Sequence, residues 1–334
     1  MWSTTLGDAL GGNGHDSDGG RAVPVSYFNW QLDAEVTVGL ALVAATRRLK
    51  SAGLDTPRLD SEVLLAEVMG WDRTRLFTDP DRQLSDAERQ RFEELVERRF
   101  RHEPVAYLIE RKAFYNLELF VDHRVLIPRP ETELLVDLAL DLASQLLRLR
   151  QEEAGGNGHG PGSSVERITV ADIGTGSGAV GLAIALNASM TDVYAVDISD
   201  DALAVARENA RRCQAENLVT FFKGDLLEPL PAPVDIVVAN LPYIALHELD
   251  ELAPGITDFE PTLALTGGAD GLSLIRRLLV QSRACLRPQG AVLLEIGAQQ
   301  GTQVAAIARE QFPEAFVEVL SDYGYRDRIV RVQS

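Results

Sequence analysis

The spacing of apolar residues along the chain changes character twice. From 34 to 105 they fall at helical intervals, as in Val36, Leu40, Val43 and Leu49, then Leu59, Val63, Leu64 and Met69. A further helix is expected over 86–100, with Phe92, Leu95 and Val96 on its apolar side. Glu93, Glu94 and Glu97 interleave with its arginines, which reads as a solvated face rather than an RNA-binding one. From 106 to 128 the period drops to two. Phe114, Leu117, Leu119, Val121, Val125 and Ile127 alternate with polar residues and predict a β-hairpin. Pro128 and Pro130 stop any strand there, and Glu131 and Glu133 open an apolar helix ending near Arg150.

From Ile168 onward short apolar runs alternate with helical segments. Strands are expected at 168–173, 192–197, 219–222, 235–239, 291–296, 316–320 and 329–332, and helices at 179–186, 200–213, 271–285 and 301–312. This alternation predicts an α/β fold, a mostly parallel Rossmann-like sheet with helices on both faces. In such sheets ligands bind beyond the carboxyl ends of the strands. The expected division is a disordered extension over 1–33, a helical domain over 34–105, a β-hairpin linker over 106–129 and the α/β domain over 130–334, with a glycine-rich insertion at 154–164. Gly-Gly-Asn-Gly-His occurs at 11–15 and again at 155–159. Each copy offers one His among glycines, so both read as flexible insertions rather than metal or partner sites.

Composition narrows this picture a little. At 334 residues the chain exceeds what one core usually holds, and 46% hydrophobic with 25% charged residues is ordinary for a soluble protein. No apolar stretch approaches the ~20 residues that cross a bilayer, and the N-terminus lacks a secretory pattern. Only Cys213 and Cys285 are present, without His or Cys neighbours at metal-ligand spacing. They read as packed side chains in a cytoplasmic protein without metal. A net charge of −18 argues against a nucleic-acid footprint and favours a basic protein partner. Nothing demands an oligomer, so a monomer is expected.

Candidate chemistry sits at the strand ends. Asp172-Ile173-Gly174-Thr175-Gly176-Ser177-Gly178 joins the first strand of the sheet to its helix, and glycines there let a ligand approach the backbone. The third glycine comes one residue too early for the dinucleotide fingerprint, which argues against a nicotinamide or flavin enzyme. Asp197 ends the next strand, where an acid can bind the hydroxyls of an adenosine ribose; the bland alternative is a cap for the helix after Ser199. Asp225 follows the third strand and can accept from an adenine amino group while Leu226 packs on the ring; otherwise it is an Asp in a turn.

Asn240-Leu241-Pro242-Tyr243 ends the apolar run at 234–239. An uncharged amide nitrogen is a poor nucleophile because its lone pair is delocalised. Asn240 Oδ1 and the Leu241 carbonyl can accept both of its N–H bonds and aim the lone pair at an electrophile, so rate comes from positioning. Tyr243 would offer a flat face to the acceptor, and Pro242 stiffens the loop. Taken alone the string could be a turn. Together with the glycine loop and Asp197 it implies methyl transfer from S-adenosylmethionine to an amide or amino nitrogen.

These residues resemble the release-factor glutamine N5-methyltransferases. The resemblance covers roughly 36–334 and rests on Glu103-Pro104-Val105-Ala106-Tyr107, Leu126-Ile127-Pro128-Arg129-Pro130-Glu131-Thr132-Glu133, the glycine loop, Asp197, Asn240 to Tyr243, and Asp258-Phe259-Glu260-Pro261. It implies methylation of the glutamine in the GGQ motif of peptide chain release factors, with S-adenosylmethionine as cofactor and the helical domain helping to recognise the release factor. Two positions depart from the family pattern. Leu241 stands where the family usually has proline, and Glu110 stands where it tends to have glycine. The rival readings are an N6-adenine or N4-cytosine methyltransferase of DNA or RNA, which also needs a planar NH2, and a silent cofactor-binding scaffold. The first wants a basic groove, which this acidic chain does not show.

Overall fold

The structure, a computed structural model, describes residues 31–156 and 167–334. The expectations for nearly all of the 1–33 extension, and for the insertion beyond 156, lie outside the described residues. Leu32–Ser334 form one compact unit.

The helical period is borne out over the first third. α1 (Val38–Ser51) is capped by Thr37, whose Oγ1 accepts from Leu40 N. α2 (Pro57–Met69) starts on proline and stops at Gly70 in the left-handed region. After the short α3 (Arg73–Thr78), a capping box between Ser85 and Glu88 opens α4 (Asp86–Phe100). Leu49, Leu64, Phe92 and Leu95 are buried between these helices. The charged side of α4 is less solvated than expected. Arg99 bonds Asp60 of α2 at 2.7 Å, and Glu97 takes Arg48 of α1 at 2.9 Å. The short α5 (Val105–Leu108) leads into the hairpin.

That hairpin is shorter than the alternation predicted. β1 (Arg111–Phe114) pairs with β2 (Leu117–Phe120), and pairing ends there. Val121, Val125 and Ile127 are buried, but against Tyr107, Ala202 and Val205 rather than in a strand. Tyr107 Oη donates to the Val125 carbonyl at 2.6 Å. α6 (Glu133–Gly156) runs past its expected end, because Gln151, Glu152 and Glu153 are good helix formers.

The remaining elements are β3 (Ile168–Ile173), α7 (Ala179–Asn187), β4 (Thr191–Asp197), α8 (Asp200–Arg212), β5 (Val219–Lys223), β6 (Val234–Ala239), α9 (Pro254–Thr257), α10 (Ser273–Cys285), β7 (Leu286–Glu295), α11 (Gly301–Gln311), β8 (Phe316–Ser321) and β9 (Asp327–Gln333). The strand order is β5-β4-β3-β6-β7-β9-β8, and β9 runs against both of its neighbours. Alternate residues of β3 serve opposite faces. Ile168 and Val170 pack with α6 and α7, whereas Ala171 and Ile173 pack with α10 and α11. From β3 the chain builds outward through β4 and β5, then crosses back to place β6 on the other side of β3. The order reverses between β3 and β6, and a crevice is expected beyond their carboxyl ends.

Candidate active site

A cavity of about 210 Å³ lies at that point. Gly174, Gly176, Asp197, Asp225, Leu226, Asn240, Leu241 and Pro242 line it, so residues far apart in sequence meet on one wall. Thr175, Ser177, Gly178 and Tyr243 are not on that wall. A larger open cleft of about 750 Å³ between the hairpin and Arg212 contains none of the motif residues.

The glycine loop follows from its backbone. Gly174, Gly176 and Gly178 all have positive φ, at 72°, 55° and 83°. A side chain at any of them would be strained. Inside the loop, Thr175 Oγ1 donates to Asp172 Oδ2 at 2.6 Å, and Gly181 N donates to the same oxygen at 2.9 Å. Burial pushes the Asp172 carboxyl up to about 6, against the pull of these two bonds. The Ser177 carbonyl accepts from Asn209 Nδ2 at 2.8 Å, and Gly178 opens α7. Thr175, Ser177 and Gly178 therefore hold the loop, while Gly174 and Gly176 face the cavity.

Asp197 bridges two loops. Its Oδ2 accepts from Gly176 N at 2.9 Å, and its Oδ1 accepts from Ser199 N at 2.9 Å. The cap of α8 is Ser199, whose Oγ accepts from Ala202 N at 3.2 Å. The capping duty considered for Asp197 thus belongs to its neighbour. Burial raises the Asp197 pKa, and the backbone bonds from Ser199, Gly176 and Ile198 oppose that rise. Leu226 is buried with φ 52°, and Asp225 forms an ion pair with Arg277 of α10.

Asn240 is held by its amino end. Nδ2 donates to Thr132 Oγ1 at 3.1 Å, which directs Oδ1 away from that contact. Thr132 closes the short 3₁₀ turn Pro130–Thr132 and is buried. The rest of the loop is gripped from behind. Gln300 Nε2 donates to the Tyr243 carbonyl at 2.9 Å, while Gln300 Oε1 accepts from Gly297 N at 2.9 Å. Gly267 and Gly271 press so closely that a Cβ on them would collide with the Pro242 and Tyr243 carbonyls. Burial, with the nearby charge of Glu295, raises the Tyr243 phenol pKa. Leu241 is buried, and its Cδ2 lies 3.1 Å from where a Cβ on Gly174 would stand. Glu260 joins two distant strings, accepting from Ile127 N at 3.3 Å and pairing with Arg129.

The chain is 40% identical over 294 residues to a release factor glutamine methyltransferase of Moorella thermoacetica, covering 88% of this chain and 97% of that one. The chain belongs to the release factor glutamine methyltransferase family. A Bacillus cereus release factor glutamine methyltransferase is 37% identical over 80% of this chain and 90% of its own length. The family's helical part is matched over 41–109 as the PrmC N-terminal domain, and 139–253 match the methyltransferase small domain. Among solved structures, a methyltransferase from Pyrococcus furiosus aligns with a TM-score of 0.39 and 16% identity, over 57% of this chain and 97% of that one.

Several residues that hold this candidate site together escaped the sequence reading. Thr132 lay inside the Ile-Pro-Arg-Pro-Glu-Thr string without a role of its own. Glu295, Gln300, Gly267, Gly271 and Arg277 carried no motif. A Glu closing an otherwise apolar strand was the one available signal. Among the described residues no cluster of three or more His, Cys, Asp or Glu could hold a metal. None of their helices is long and apolar enough to cross a membrane. Cys213 and Cys285 are free, half-buried thiols.

Proposed function

We propose that this chain transfers the methyl group of S-adenosylmethionine to the side-chain amide nitrogen of the glutamine in the GGQ motif of peptide chain release factors. The observation that carries the reading is the Asn240 amide, pinned by its NH2 end to Thr132 beside the cavity at the β3–β6 switch. That orientation leaves Oδ1 available as an acceptor, and the Leu241 carbonyl, one residue on in the lining of the same cavity, would be the second. Two acceptors side by side suit a planar NH2 group.

The cavity suits the cofactor: its lining combines glycine backbone and the Asp197 carboxylate with apolar Leu226 and Ala264. When bound, the cofactor supplies an electrophilic methyl on a sulfonium. Asp197 accepts from the ribose hydroxyls through its remaining lone pairs. Asp225, held by Arg277, accepts from the adenine amino group, and Leu226 packs on the ring. Asn240 Oδ1 and the Leu241 carbonyl take the two N–H bonds of the substrate amide, turn its lone pair toward the methyl and favour a pyramidal nitrogen. Neither is a base, so the contribution is orientation, and the methylated nitrogen would release one of its two protons to solvent. Pro242 stiffens the loop, and Tyr243 sets a flat face against the substrate with its carbonyl anchored by Gln300. The helical segment over 34–105 reads the release factor.

The test uses labelled S-adenosylmethionine with purified release factor, its GGQ Gln→Ala variant, and bulk DNA and rRNA. Label is expected on the wild-type factor alone. Label on nucleic acid would move the chain to the amino-base methyltransferases, and cofactor binding with no transfer to any acceptor would leave a silent scaffold.

A further inference from the structure

Glu295 is an ionisable side chain where an apolar one would pack without cost. It ends the run Val292-Leu293-Leu294 and is 2% exposed. Ala239 pairs with Leu294 across β6 and β7, which places Glu295 beside Asn240, one position further on. Thr132 Oγ1 accepts from Asn240 Nδ2 at 3.1 Å, and the same side chain lies close enough to the Glu295 carboxyl to pull against the rise that burial causes. Glu295 Oε2 is buried with no hydrogen-bond partner among the described residues. The charged and titratable groups around it are Arg328 from β9, Arg129 and Glu131 from the segment before α6, and Tyr243 from the loop after β6. The methyl transfer set out above uses none of its chemistry.

We propose that Glu295 is a positioning residue that fixes, through the Thr132 hydroxyl, which end of the Asn240 amide meets the substrate. This rests on the role of Asn240 proposed above. A carboxylate can only accept, and a hydroxyl has one proton to donate. With Glu295 ionised, that proton is committed to Glu295. Thr132 Oγ1 then presents only lone pairs to Asn240 and selects its NH2 end. With Glu295 protonated, its own O–H can donate to Thr132, whose proton becomes free to bond Asn240 Oδ1. The amide then turns over and offers hydrogens to a substrate NH2 that has hydrogens of its own. Turnover therefore follows the ionised fraction of Glu295. Burial pushes its carboxyl up to about 7, so that fraction changes across neutral pH.

The experiment measures kcat and KM against pH for the full chain and for Thr132→Ser, Thr132→Val, Glu295→Gln and Asn240→Ala, with the cofactor Kd of each. Wild-type kcat is expected to fall toward tenfold per pH unit once pH drops below about 7. Thr132→Ser keeps kcat within about threefold, whereas Thr132→Val loses roughly 10–100-fold in kcat with cofactor Kd unchanged, the range of a lost oriented hydrogen bond. Glu295→Gln still accepts from Thr132 but cannot titrate, so its kcat is flat between about pH 6 and 8. The proposal is overturned if Glu295→Gln keeps the acid limb, if Thr132→Val has wild-type kcat, or if both variants lose cofactor binding along with turnover. Asn240→Ala separates the two readings. If that variant turns over normally, the role of Asn240 falls and this one with it. If it is inactive while Thr132→Val is normal, only the present inference fails.

Discussion

Asp197 accepts backbone N–H groups from two different loops, one on each oxygen. An asparagine there could accept on one side only and would point a donor at the other. Asp197→Asn should raise the cofactor Kd by about 10–100-fold, or 1.4–2.8 kcal/mol, in a calorimetric titration. A Kd within about twofold of wild type would remove the ribose assignment. Glu110 is a second position where the residue type has a physical cost. Its φ is 52°, the region where glycine is at ease and a side chain is strained. Glu110→Gly should raise stability by about 0.5–1 kcal/mol, read as a higher urea midpoint at unchanged slope. A lower midpoint would mean that the glutamate side chain contributes more than its backbone strain costs. The departure from the family's glycine was legible in the sequence; the strain it causes needed the backbone. Asn240, Asp197 and the glycines were legible because each sits where a buried run ends. Thr132 and Glu295 were not, because their partnership exists only when β7 lies beside β6 and the 3₁₀ turn folds across both.

At the level of elements, the run over 168–173, apolar but for Thr169 and Asp172, marked β3 with its observed bounds, since a strand buried on both faces is mostly apolar. β7 was harder. It starts at Leu286 rather than 291, because Leu286 pairs with Val234 before a register shift, and Arg287-Pro288-Gln289-Gly290 reads as a turn in sequence. The hairpin failed in the opposite sense. Alternation at 121–127 recorded one-sided burial, which a strand and a packed coil share. The turn from β3 into α7 also carries a pH signature. Asp172 is raised from 3.8 to about 6 in the folded state, by burial first. A carboxyl with a raised folded pKa contributes stability that is fully present below the unfolded value and is lost as pH rises through the folded one. Asp172→Asn, whose oxygen still accepts from Thr175 and Gly181, should therefore gain on wild type between pH 4 and 6, by up to about 3 kcal/mol. A stability difference that stays constant over that interval, measured by denaturant melts, would show that Asp172 does not titrate there.

For the whole molecule, strand and helix alternation announced the α/β class, yet the order of the strands lies outside what alternation can say. Only the crossing from β5 back to β6 creates the crevice, and only there do the separated motifs become one wall. Net charge acts at the same scale. At −18 the chain should repel polyanions, most strongly at low ionic strength where screening is weak. A fluorescent RNA or DNA oligonucleotide should show no anisotropy rise with up to about 10 μM protein at low salt, and tight binding that weakens steeply with salt would expose a basic face. Leu241 has a consequence for temperature. At the position where the family resemblance leads one to expect a proline ring, this loop is steadied by a buried side chain lying against Gly174. A ring holds its angle at any temperature, but an apolar contact weakens on cooling. The chain should therefore lose more of its turnover between 25 and 5 °C than Leu241→Pro does, and equal losses would place the stiffness elsewhere, in the grip of Gln300.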